Sequence, residues 1–171
     1  MTKLFSAFQT VSKEQWKEKI IKDVSDLKMG NPEDFTNFVN AVIDEKAFHN
    51  ICSYIDFAKN DHEHELIIGG NYNKSVGYFI EPTIFLSTNP KSRLMCEEIF
   101  GPVVTIYIYD NDKYEETLDL VNDTSPYALT GAIFAKDKNA IELAKIKLKH
   151  SAGNFYINDK PTGAVVGQQP F

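Results

Sequence analysis

Two cysteines, Cys52 and Cys96, are the side chains here that could attack a carbonyl carbon as thiolates. Thiol reactivity follows pKa, and the neighbours of both residues work against ionisation. Cys52 falls on the apolar stripe Phe48, Ile51, Cys52, Ile55, where a small buried filler is the usual role. Cys96 directly precedes Glu97 and Glu98, whose charge opposes thiolate formation. His62-Glu63-His64 brings two imidazoles close together in an acidic stretch between a helix and a strand. A solvated loop is expected there, because the sequence places no third ligand beside them, and no metal site is assigned. Glu97 and Glu98 are adjacent, so any regular element points them to different faces, which argues against a paired acid and base. Neither a G-x-G-x-x-G after a strand nor a G-x-x-x-x-G-K-[ST] phosphate cradle is present. No residue is assigned as catalytic on these grounds.

The elements that must hold these residues alternate between helix and strand. Val11 and Ser12 open a first helix, with Ser12 and Gln15 reading as a capping box and Val11 stapling to Trp16. Trp16, Ile20, Val24 and Leu27 recur at helical spacing until Gly30-Asn31-Pro32. A second helix follows Asp44. Leu66 to Ile68 reads as a short strand closed by Gly69-Gly70, and Tyr78 to Leu86 as extended chain interrupted by Pro82. Val103 to Tyr109, Leu129 to Ala135 and Asn154 to Asn158 are three further strands. A helix capped by Asp112 and Glu115 carries Leu118 and Val121 between the first two. Another, capped by Asp137, carries Ile141, Ala144 and Leu148 between the last two. Helical crossovers of this kind imply a parallel α/β sheet with right-handed connections. Lys160 to Phe171, rich in Gly, Pro and Gln, reads as an ordered loop.

The totals set the outer bounds. At 171 residues the chain is long enough for one domain with a sizeable core. A formal net charge of −6 gives no electrostatic reason to expect a nucleic-acid partner. No apolar run approaches the roughly 18 residues that span a membrane, so no membrane partner is expected. Two cysteines make no disulfide framework, and a reducing compartment is the default. The start, MTKLFSAFQTVSK, is compatible only with a poor mitochondrial presequence. The sequons at Asn73 and Asn122 are read as chance. Residue chemistry alone stops at a soluble α/β domain of unknown activity.

A resemblance carries the reading further. The segments NPEDFTNFVNAVIDEKAF, GGNYNKSVGYFIEPTIF, CEEIFGPVVTIYIYD and SPYALTGAIFAKD resemble the aldehyde dehydrogenase superfamily. GNFYIND with TGAVVGQQPF is specific to its pyrroline-5-carboxylate dehydrogenase branch, and the likeness runs from about Trp16 to the last residue. The resemblance implies an open, largely parallel sheet flanked by helices, as in the family's catalytic domain but truncated. It makes 1–171 a partial catalytic domain, with 1–15 a divergent start, 160–171 a substrate-anchor-like loop, and no dinucleotide-binding domain. The family oxidises L-glutamate γ-semialdehyde to L-glutamate with NAD during proline degradation. A cysteine thiolate adds to the aldehyde, hydride passes to NAD, and a glutamate-assisted water hydrolyses the thioester.

By the same resemblance, Glu98 is the carboxylate that accepts from the nicotinamide ribose hydroxyls, and Phe100 the ring packed near the nicotinamide. Gly163 and Ala164 match the loop whose backbone N–H groups hold the substrate's α-carboxylate, and Phe171 an aromatic that boxes in its aliphatic part. Glycine suits such a loop, because backbone approaches an anion closely only without a side chain in the way. Outside the motif, Phe100 reads as ordinary core and Gly163-Ala164 as a turn.

The departures bear on activity. Where the family has its Gly-Gln-Lys-Cys nucleophile this chain has Thr2 to Phe8, and no cysteine precedes Cys52. The general-base glutamate and the cofactor domain have no counterpart. Removing a catalytic nucleophile from a unit that acts together costs about 10⁶ in rate. One charged ribose contact contributes about 1.5–3 kcal/mol, short of the roughly 4 kcal/mol of millimolar affinity. The chain alone is therefore expected neither to bind NAD usefully nor to turn over. Three readings remain open: an inactive truncated relative, a non-catalytic module that binds an intact dehydrogenase subunit or a metabolite, and one piece of an active enzyme. The family's usual compartment in eukaryotes is the mitochondrial matrix, with the cytoplasm expected if there is no presequence.

Overall fold

The computed structural model describes residues 2–6, 13–161 and 167. In chain order its elements are β1 (Thr2–Ser6), α1 (Lys13–Ser25), α2 (Glu45–Asn60), β2 (His64–Ile68), β3 (Tyr72–Asn73), β4 (Phe79–Ile80) and β5 (Thr83–Ser87). There follow α3 (Arg93–Cys96), β6 (Val103–Tyr107), α4 (Tyr114–Asp123), β7 (Thr130–Phe134), α5 (Lys138–Lys147) and β8 (Asn154–Ile157). The expected α/β class holds, and β1–β7, β7–β8 and β5–β6 pair in parallel. The strands are shared among three sheets, ordered β1-β7-β8, β2-β5-β6 and β3-β4. β6 and β7 therefore do not share a sheet, although the repeating strand–helix pattern reads as though they did.

Two compact units make up the described residues: 13–94 with 99–108, and 2–6 with 95–98 and 109–161. In the first unit α2 supplies the buried wall. Asp44 caps it by accepting from the Ala47 N–H at 2.7 Å, which satisfies one of the helix's orphan donors. Phe48, Ile51, Cys52, Ile55 and Ala58 then face Ile80, Phe85, Leu94 and Ile99 in one core. β5 is buried along its whole length because it is the central strand of its sheet. Gly69 has φ +79°, and a Cβ there would run into the Pro82 carbonyl oxygen, so the turn after β2 requires glycine. Trp16, Ile20, Val24 and Leu27 are half-buried as expected, although α1 stops at Ser25, short of Gly30.

In the second unit α4 and α5 close over a core of Leu118, Ile133, Ala144 and Leu148. Asp137 caps α5 through the N–H groups of Asn139 and Ala140. Lys147 bridges the helices to Glu115 at 3.1 Å and Asp119 at 2.9 Å. The expected capping box of Asp112 and Glu115 is not made. Asn111–Lys113 form a 3-10 turn, and no side chain caps α4, because the chain enters the helix from that turn rather than from extended backbone. β1 and the hairpin β3–β4 were not anticipated: the first lies in a segment read as a divergent start, and the second has strands of two residues. No described helix is long and apolar enough to cross a membrane.

Candidate functional site

The segment after α3 is built by alternating anchors. Ile99 is buried among Phe48, Ile51 and Ile55. Gly101 sits against α2 so closely that a Cβ would lie 2.6 Å from Ile51 Cδ1. The Pro102 carbonyl accepts from the Thr83 N–H at 2.8 Å, which ties the segment to the head of β5. With Ile99 buried and the backbone of Gly101 set against Ile51, Phe100 is left facing outward. It takes φ 61° and leaves its ring 85% exposed. A left-handed phenylalanine is strained by about 1–3 kcal/mol and persists only where its neighbours over-determine it. The ordinary-core reading of Phe100 is thereby overturned. Glu98 is half-buried and belongs to the other compact unit.

The Cys52 thiol is not set up to react. Cys52 is 6% exposed, and burial, with the charge of Asp56 second, pushes its pKa up. Asp56 is itself held by the Tyr72 hydroxyl, which donates to its carboxylate at 2.9 Å. Cys96 is half-buried at the end of α3. A cavity of about 470 Å³ reaches Cys52 between His49, Tyr72 and Lys74, but Glu98 and Phe100 do not line it.

His62 is exposed as expected, but His64 is not in a solvated loop. It begins β2 opposite Ser87, and its side chain is wholly buried against the rings of Phe57 and Phe85. Its Nδ1 lies 3.2 Å from Asp61 Oδ2. Strand pairing starts earlier than the apolar run Leu66–Ile68 indicates, and it carries His64 inward. Among the described residues no group of three or more His, Cys, Asp or Glu is arranged to hold a metal ion.

At the other motif, β8 ends in a turn that sequence reasoning passed over. Asn158 has φ 55°. Its backbone N–H donates to the Ile133 carbonyl at 2.8 Å. Its Oδ1 accepts from the Ala135 N–H at 2.9 Å, and its Nδ2 donates to the Ala135 carbonyl at 3.0 Å. The available signal was the residue type, since asparagine tolerates the left-handed region. Buried Thr130 donates to the Pro161 carbonyl at 3.2 Å. Gly163, Ala164 and Phe171, the expected substrate contacts, lie outside the described residues.

Comparison with known proteins gives a consistent result. A model of the aldehyde dehydrogenase family matches residues 7–171. The chain is 56% identical over 157 residues to the mitochondrial delta-1-pyrroline-5-carboxylate dehydrogenase of Dictyostelium discoideum, covering 92% of this chain and 28% of that one. It is 51% identical over 158 residues to the rat enzyme of the same name, with the same coverages. Among solved structures, the Mycobacterium tuberculosis delta-pyrroline-5-carboxylate dehydrogenase bound with NAD superposes with a TM-score of 0.84 at 37% identity, over 99% of this chain and 30% of that one. The chain thus spans less than a third of the length of these relatives.

Proposed function

This chain belongs to the aldehyde dehydrogenase family, and we propose that it carries the substrate-anchoring and nicotinamide-side segment of a pyrroline-5-carboxylate dehydrogenase. The reaction served is the NAD-dependent oxidation of L-glutamate γ-semialdehyde to L-glutamate. The observation that carries this reading is the 56% identity to a delta-1-pyrroline-5-carboxylate dehydrogenase over 92% of the chain. The outward, strained Phe100 supports it, because a ring held in solvent against its backbone preference is placed to meet something outside the core. In this reading Glu98 accepts from the ribose hydroxyls, Phe100 packs by the nicotinamide, Gly163 and Ala164 hold the α-carboxylate, and Phe171 covers the aliphatic chain. NAD supplies the hydride acceptor.

These 171 residues alone are catalytically silent in this proposal. Cys52 is buried with its pKa raised, and a half-buried Cys96 is the other thiol. A single ribose contact of about 1.5–3 kcal/mol does not hold NAD. Turnover requires a nucleophile and a cofactor site supplied from elsewhere. The relatives' names include mitochondria, which supports that compartment for this chain, with the cytoplasm as the alternative.

The test is NADH formation by the purified chain at high concentration with pyrroline-5-carboxylate and excess NAD. Absorbance no higher than buffer is expected. A signal abolished by Cys52→Ser or Cys96→Ser would overturn the silent reading and make one of those thiols the nucleophile.

A second reading has its own support. Phe35, Phe38, Ile43 and Val76 are 96%, 75%, 91% and 90% exposed. The Val42 N–H donates to Tyr78, joining the loop before α2 to the β3–β4 hairpin. Exposed apolar groups of this kind mark interaction surfaces, and an intact aldehyde dehydrogenase subunit is the partner proposed. Light scattering of the chain mixed with such an enzyme would show concentration-dependent association.

A further inference from the structure

We propose that the cleft between α2 and β3 is a binding site for a short linear zwitterion, with an ammonium and a carboxylate at the two ends of an aliphatic chain. The inference stands apart from the anchoring reading, and all of its residues belong to the first compact unit.

The cleft has a volume of about 470 Å³, a size typical of small-molecule sites. Its floor is apolar. Phe48 is 4% and Cys52 6% exposed, and the Phe48 and Tyr72 rings meet edge to face at 5.7 Å. Its two ends carry opposite charge. At one end Lys74 Nζ lies 3.4 Å from His49 Nε2 and 3.1 Å from Glu45 Oε1. At the other end the carboxylate of Asp56 accepts from the Tyr72 hydroxyl at 2.9 Å.

Each end keeps bonding capacity. A lysine ammonium has three donors, and Glu45 and His49 occupy two of them. The Lys74 side chain is 50% exposed, so an anion can reach the third without displacing Glu45. A carboxylate has about four acceptor positions, and the single phenol proton of Tyr72 fills one. Glu45 already offsets the charge of Lys74, so an anion held at that end alone gains little. A molecule that reaches both ends gains two charge-assisted contacts at once.

The spacing of those ends comes from α2. His49 and Asp56 are almost two turns apart, so they share a face and lie about 10 Å apart along the axis. A hydrogen bond of about 3 Å at each end leaves roughly 4–5 Å for the ligand's own charged atoms. An α-amino acid, whose charged atoms are about 3 Å apart, is too short to touch both ends. An ω-amino acid with a few methylenes spans the gap and lays them on the Phe48 and Cys52 floor.

The experiment titrates the isotope-labelled full chain with 4-aminobutanoate and follows the backbone amides by NMR. Saturable shifts at Cys52 and Lys74 are expected in about the millimolar range. Butanoate and butylamine, which carry one charge each, and glycine, which cannot span the cleft, are expected to bind about tenfold more weakly. Lys74→Gln and Asp56→Asn should each weaken 4-aminobutanoate by about the same factor. Amide exchange on α5 is the control that each variant is folded. The absence of a saturable shift in the unmodified chain overturns the proposal. So does equal binding of the one-charge analogues, or undiminished binding by either variant.

Discussion

Phe100 and Asn158 occupy nearly the same backbone state, with φ of 61° and 55°, and they are held there in opposite ways. Asn158 is stabilised from within, by its own carboxamide on Ala135. Phe100 makes no comparable use of its side chain, which is exposed, and is held from outside by buried Ile99 and close-packed Gly101. A residue that satisfies its own turn is a local solution and can be read from its type. A residue strained by its neighbours reveals a demand placed on its side chain from elsewhere, here to keep an aromatic ring out of the core.

The largest expected effect breaks the outside support. Gly101→Ala puts a Cβ 2.6 Å from Ile51 Cδ1, with Ile51 1% exposed and unable to move aside freely. A loss of about 2–3 kcal/mol is expected from such overpacking, read as a lowered urea midpoint. An unchanged midpoint would mean the Phe100 turn does not lean on α2.

The unit carrying Asn158 has its own pH signature. Burial, with Tyr109 and Asp137 adding smaller effects, pushes the Tyr114 phenol from 10.0 up to about 12, and its hydroxyl donates to the Ala140 carbonyl. A folded pKa above the unfolded one means the unfolded chain ionises first as pH rises. The stabilisation is therefore fully present below about pH 10 and is lost between 10 and 12. The urea midpoint should fall across that window, and Tyr114→Phe should flatten the fall. An equally steep fall in that variant would place the linkage elsewhere.

The smallest effect is the sharpest comparison, because it turns on sign. Glycine at position 100 relieves left-handed strain and, against its greater freedom in the unfolded chain, should leave the protein about 0.5 kcal/mol more stable. Glycine at position 158 accepts the same φ but forfeits two hydrogen bonds, and should destabilise by about 1–2 kcal/mol. Unfolding curves for the two variants should move in opposite directions. Movement in the same direction would dissolve the distinction between the two turns.

Much of the frame was legible from local signals. The Asp44 and Asp137 caps, the stripe Phe48–Ile51–Cys52–Ile55 and the strands of the second half all appear where short-range rules put them. What was misread depends on partners distant in sequence. His64 is drawn inward by pairing with Ser87 and by the rings of Phe57 and Phe85. β1 is recognisable only through its register with β7. The 3-10 entry to α4 displaced a capping box whose residue types were correct.

Family membership was determined by the sequence itself, because motifs such as EEIFGP and GNFYIND are strings of residue types and survive without coordinates. So was the inert setting of Cys52, since helical periodicity alone puts it on a buried face. The tertiary structure decided the direction in which Phe100 points and the bonds that hold Asn158. Both depend on where another strand or helix passes: α2 beneath Gly101, and the end of β7 beside Asn158. A side chain's type is written in the chain, but the surface it leans on exists only once distant segments have packed.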